Sequence, residues 1–242
     1  SMIRSTNIML SDLNIIDNDG AGIDMNLSGS ILYNVNVEKN DRRGIDMDHS
    51  NAELYDCIIT DNESMGEGNG SNGGGIRMIY SNATLQGGEI SYNKSGNKGG
   101  GMEMKNSYAF ISDMQINNNS AGHDQSYSHG GGGINLENSS PTIVNTEIFE
   151  NQACINYPTS YCSGGGMRWK GGKGNPILVN VLIRNNTAYF SAGALLKNPT
   201  LINVTIAENT VTATSTSNGT LIGSQIDVDP DARIKNSIIR GT

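Results

Sequence analysis

Large apolar side chains are scarce in this 242-residue chain: it has three Phe and one Trp, and hydrophobic residues of every kind make up only 36%. So thin a supply excludes a broad globular core and fits a narrow interior lined by aliphatics. Positive charge is also short, with 16 Lys and Arg against 24 Asp and Glu for a net charge of −8. That balance argues against a nucleic-acid partner and a polybasic membrane patch. No apolar run approaches the length of a membrane-spanning helix, and no signal peptide opens the chain. The three cysteines are too few for a disulfide scaffold. Cys57 falls in an aliphatic column and reads as a buried small hydrophobe. Cys154 and Cys162 share one long junction, where either a disulfide, implying an oxidising compartment, or two free thiols fits.

What the chain has in abundance is repetition. The clearest copy runs from Gly130 to Asn151, GGGGINLENSSPTIVNTEIFEN. Taking the corner residue of each copy as origin gives Asp12, Asn34, Asp56, Gly87, Asp113, Asn145, Asn180, Asn203 and Asn236. Two residues before each origin stands a Leu or Ile, from Leu10 to Ile234, and three residues after it an Ile or Val, from Ile15 to Ile239. Six residues after it stand Asn18, Asn40, Asn62, Asn93, Asn119, Asn151, Asn186 and Asn209, with Thr242 closing the last copy.

Alternation of period two within each copy predicts short strands with one buried face. A unit of about 22 residues is too short to include a helix and long enough for three strands and three turns. Stacking such units about 4.8 Å apart turns the aliphatic columns into inner ladders. It places Asn at corners, where the left-handed backbone is tolerated and amides bond from coil to coil. The expected fold is all-β, a single-stranded parallel β-helix (a solenoid) of about nine coils. Residues 1–7 read as a cloning remnant and lead-in, and residues 8–242 as one β-helix domain excised from a longer protein. Coil one is expected to lack a first strand.

The junctions vary in length at a single corner. They are four residues long in the early coils, then swell over Glu63 to Gly75, Lys94 to Gly101, Ser120 to Gly133, Gln152 to Gly166, Thr187 to Gly193 and Thr210 to Gln225. Insertions confined to one face of a solenoid usually build its binding surface. Those junctions carry His123, Tyr127, His129, Tyr157 and Tyr161 as candidate ligand contacts. On the neighbouring sheet, residues next to the inward-pointing openings face outward. One outer column runs Asp24, Asp46, Arg77, Glu103, Asn135 and Arg168, and a second runs Asn26, Asp48, Ile79, Lys105, Glu137 and Lys170. Asp24, Asp46 and Asp48 lie close enough to recruit a hard cation such as Ca²⁺ or to form a solvated acidic patch. Arg77, Glu103, Lys105, Glu137, Arg168 and Lys170 form either a self-complementary charge ladder or a groove for a sugar chain or protein. Trp169 falls at an inward position.

The paired signatures, glycine-led openings and closings such as Ile116-Asn117-Asn118-Asn119, Ile148-Phe149-Glu150-Asn151 and Ile183-Arg184-Asn185-Asn186, resemble polymorphic outer-membrane protein repeats. More broadly they are similar to the pectate-lyase-like superfamily. The resemblance covers nearly the whole chain, although Ile or Val stands where the outer-membrane repeats favour Phe. It implies a right-handed helix and a secreted or surface-displayed protein binding a polysaccharide or surface protein, with no required cofactor. In the lyase version of the superfamily, Arg77 is implied as the base, Asp46 and Asp48 as cation ligands, and Lys105 or Arg168 as the group that neutralises a sugar carboxylate. The hydrolase version of the superfamily, which uses clustered Asp, is the other enzymatic alternative behind the lyase, and a purely structural stalk is a third expectation. Exposed end coils invite pairing with a neighbour.

Overall fold

The computed structural model describes residues 2–3, 8–65, 71–123, 130–154, 162–213 and 225–241. Among them there is no helix, and all paired strands run parallel. Three sheets form, of nine, fourteen and six strands. This is the arrangement of a parallel β-solenoid with asparagine stacking.

The openings form the nine-stranded sheet, with Ile23–Asn26, Ile45–Asp48, Ile76–Ile79, Met102–Lys105, Ile134–Glu137, Met167–Gly171, Ala194–Leu196 and Ile226–Val228 in successive coils. The ninth strand is Met2–Ile3, paired with Asp24 and Met25. Coil one therefore does have a first strand, inside the segment expected to be a remnant. Inward positions in this sheet hold a run of methionines, Met25, Met47, Met78 and Met104, in register and fully buried. Unbranched, polarizable Met side chains fill a narrow, slightly irregular interior well.

The fourteen-stranded sheet turns a corner within each coil. Early coils round it in one eight-residue strand, such as Ile31–Glu38, and later coils break into pairs such as Thr142–Val144 and Glu147–Phe149. At the corner all nine origin residues have positive φ, from 47° at Asn145 to 70° at Gly87. Eight of the nine are Asn or Asp, the non-glycine residues that bear this conformation best. The aliphatics flanking the corner are the core: Leu32, Ile59, Ile111, Ile143, Ile183 and Ile206 are all buried.

The second asparagine column behaves differently. Its own backbone is not left-handed. The residue before each Asn is, as at Asp61, Asn118 and Asn185. The Asn side chain then turns inward and is buried. Each Nδ2 donates to the Oδ1 of the next coil, from Asn18 to Asn40 at 2.7 Å through Asn186 to Asn209 at 2.9 Å. That same Oδ1 also accepts the backbone N–H of the preceding Asn. Gln225, which replaces the opening glycine of the last coil, caps the ladder by accepting from Asn209 Nδ2 at 2.9 Å. A serine ladder unread in the sequence runs along another corner, where Ser50, Ser81, Ser107 and Ser139 each accept the N–H of the serine one coil back.

The swollen junctions begin with order of their own. Glu63–Ser64, Lys94–Ser95, Ser120–Ala121, Gln152–Ala153, Thr187–Ala188 and Thr210–Val211 form the six-stranded sheet. Each strand alternates an outer residue with one that is small or β-branched, and Ser95, Ala121 and Ala188 are buried. Ala153, Ala188 and Ala192 pack with Cys154 and Cys162 into a second, smaller core, and the two cysteines form a disulfide.

Candidate functional site

The outer face of the nine-stranded sheet lies beside the edge where the long junctions cluster. Register confirms the first outer column: Asp24, Asp46, Arg77, Glu103, Asn135 and Arg168 are paired in that order. The second column holds from Asn26 through Asp48, Ile79 and Lys105 to Glu137 and then slips. A register shift between Leu136 and Glu137 pairs Glu137 with Gly171, so Lys170 is not in the expected place. The longer spacing from Met167 to its corner is the sequence signal of that slip.

The column changes character along the axis. Asp24, Asp46 and Arg77 are half-buried, whereas Glu103, Asn135 and Arg168 are buried although they stand on the outer face. Arg77 grips Asp46 with a bidentate fork, Nε to Oδ1 and Nη2 to Oδ2, both 2.7 Å. Arg43, itself buried, adds a contact from Nη1 to Asp46 Oδ2 at 3.3 Å and donates from Nε to the Asn72 carbonyl. Burial draws the Arg77 guanidinium down, but the hydrogen bonds and charge of Asp46 outweigh it and leave its pKa raised. Arg43 is lowered, chiefly by burial. In the second column Lys105 pairs with Glu137 at 3.0 Å. Asp48 meets His49 Nδ1 at 2.6 Å, and the His49 ring stacks on Tyr80 at 4.9 Å.

Farther along, burial governs. The Glu103 carboxyl is pushed up to about 7, mainly by desolvation, which the charge of Lys98 opposes. Arg168 is pushed down to about 10 by burial. Asn135, wholly enclosed, has no hydrogen-bond partner for either amide atom. An orphaned amide inside a protein costs on the order of 1–3 kcal/mol and calls for an explanation. Trp169 takes the inward register opposite Leu136, partly buried against the core, with Lys197 Nζ 4.9 Å from the ring centroid.

The sequence-predicted residues are therefore only partly gathered. Arg77, Lys105, Glu103, Glu137 and Arg168 share one face with Asp24, Asp46 and Asp48. His123 sits apart on the junction sheet side, its Nε2 bonded to Ser120 Oγ at 2.8 Å. Tyr127, His129, Tyr157 and Tyr161 lie outside the described residues, as does the segment between the bonded Cys154 and Cys162. Among the described residues no group of three or more His, Cys, Asp or Glu is placed to hold a metal. Sequence reasoning missed Arg43 and Lys98, because both precede the glycines of the return turn and belong to no repeat column. No family model matches the chain, and no curated protein matches it.

Proposed function

We propose that the chain is a right-handed, single-stranded parallel β-helix of about nine coils acting as an extracellular or surface-displayed binding module. It recognises a polysaccharide or a surface protein through the loop-bearing edge. The carrying observation is that the charges of the outer face are spent on one another: Asp46 is forked by Arg77 and touched by Arg43, and Lys105 is paired with Glu137. A lyase base has to reach a proton alpha to a carboxylate, and a Ca²⁺ ligand has to present an open carboxylate oxygen. Arg77 and Asp46 are committed to each other instead. A pre-paired, rigid face flanked by insertions suits contact better than chemistry. The disulfide fits an oxidising location.

The test is an array of acidic and neutral polysaccharides, read for retention of the chain, alongside a depolymerisation assay with Ca²⁺ and with chelator. Retention without cleavage supports the reading. A Ca²⁺-dependent rise in unsaturated-uronide absorbance, lost in Arg77→Ala, overturns it in favour of a polysaccharide lyase. New reducing ends without that absorbance indicate a hydrolase.

A further inference from the structure

Exposed apolar side chains such as Met9, Ile16, Ile238 and Ile239 belong to the outermost described coils, whereas Tyr80 and Tyr108 stand mid-rod and are 53% and 61% exposed. Tyr80 occupies the corner that follows the nine-stranded sheet, at the opposite ends of its strands from the long junctions. Successive coils place Leu27, His49, Tyr80, Asn106 and Asn138 at this corner, each N–H donating to a carbonyl of the next coil. All five have a left-handed backbone, with φ from 49° to 53°. Asn106 and Asn138 are the residue type that bears this conformation best. A bulky aromatic there is a genuine outlier, and strain of that kind collects at functional sites. At Tyr80 the strained backbone carries a ring stacked on His49, with centroids 4.9 Å and planes 26° apart. Tyr108 lies one coil on and two residues farther round the corner, its N–H donating to Asn82 Oδ1 at 3.0 Å.

Polar groups frame the stacked pair. In the column just before the corner, Asp48, Ile79, Lys105 and Glu137 are register partners in successive coils. Asp48 meets His49 Nδ1 at 2.6 Å, and Lys105 holds Glu137 at 3.0 Å. The pKa of Lys105 is raised chiefly by its hydrogen bond to Glu137, and Tyr80 is near enough to add to the effect. The side chains of Asp48, Lys105 and Glu137 are all partly open to solvent. We propose that this corner is a stacking subsite for a neutral polysaccharide, with His49 and Tyr80 under the apolar face of a pyranose ring and Asp48 and Glu137 accepting from its hydroxyls. A carboxylate only accepts, so the ligand has to donate, and sugar hydroxyls do. A proline-rich segment also stacks on exposed tyrosines but lacks the N–H to donate. Lys105, the cation next to Tyr80, is already paired with Glu137, so a uronate finds no counter-charge there. The inference rests on the reading of the chain as a binding module, and it adds to the loop-bearing edge a contact on the far edge of the same sheet.

Affinity electrophoresis of the full chain in gels containing soluble β-glucan, xylan, mannan or polygalacturonate tests it. Tyr80→Asn removes the ring and suits the left-handed corner, so the variant keeps its fold, and Tyr80→Phe keeps the ring. At least one neutral polysaccharide is expected to retard the wild-type chain, with affinity falling about tenfold in Tyr80→Asn and staying within about threefold in Tyr80→Phe. Equal retardation of the wild-type chain and Tyr80→Asn overturns the subsite and leaves the binding reading in place. Retardation by polygalacturonate alone overturns the neutral class. Silence in every gel overturns the subsite together with the polysaccharide half of the binding reading. Binding of a polyproline peptide that is lost in Tyr80→Asn overturns the sugar and assigns the rings to a protein partner.

Discussion

Asn119 accepts from both the backbone N–H and the Nδ2 of Asn93, at 3.0 Å each, and donates to the Ile90 carbonyl at 2.8 Å and to Asn151 Oδ1 at 3.0 Å. Asn119→Ala removes four hydrogen bonds from the interior and leaves the Asn93 backbone N–H without its acceptor, whereas Asn93 Nδ2 keeps the Ile59 carbonyl and Asn151 Oδ1 keeps the backbone N–H of residue 119, so a loss of about 2–3 kcal/mol is expected in urea unfolding. Glu103 gives a pH dependence. Its folded pKa of about 7 stands above the ordinary 4.5 because of burial, so between those values the folded chain keeps a proton that the unfolded chain has lost. Its contribution is fully present below about pH 4.5, falls as pH rises through about 7 and is flat above. The span is on the order of 3 kcal/mol. Urea midpoints at pH 5 and pH 8 should therefore differ more in the wild-type chain than in Glu103→Gln. The repeat announced the asparagine column. It did not announce that these residues turn inward while their predecessors take the left-handed backbone, because that division is made by how a tight turn presents its amide to the coil above.

Among the elements, the return turns are the most exacting. A Cβ on Gly133 meets the Gly166 carbonyl oxygen at 2.6 Å and Asn151 Nδ2 at 3.1 Å, whereas one on Gly20 meets nothing within 4 Å. Backbone that meets backbone cannot step aside, since the coil spacing is set by the hydrogen bonds themselves. Gly133→Ala is expected to cost about 2–3 kcal/mol, and Gly20→Ala to stay within about 0.5 kcal/mol. Thermal denaturation of the pair reads the contrast directly. The glycine openings and the outward columns were legible from alternation alone. The six-stranded sheet was not, because each of its strands is only two residues long, as in Lys94–Ser95. A two-residue alternation carries no periodic signal. It is recognisable only once the coils are stacked.

At the scale of the whole molecule, each coil is supported only by its neighbours, so protection varies along the axis. In the described end coils the inner-column positions are open: Leu13 is 40% exposed and Ile239 43%, while Ile116, Ile143 and Ile148 are fully enclosed. Amide hydrogen exchange should accordingly be fastest in Met9–Ile16 and Ile238–Arg240 and slowest around Gln115–Asn117 and Thr142–Val144. A uniform rate along the chain would contradict this nearest-neighbour picture. The all-β repeat, its two aliphatic ladders, its asparagine column and the edge that takes insertions were determined by the sequence itself, because a period-two pattern is local and each copy repeats it. What faces what across the insertions was decided only by the tertiary structure. Asp46 is gripped by Arg77 from 31 residues away, Lys170 falls out of register at a slip, and Glu103, Asn135 and Arg168 are buried on a face that alternation marks as outward. Alternation sets only the side of a strand on which a residue stands. The register between coils and the packing around each strand set its neighbours and its access to water, and with them its chemistry.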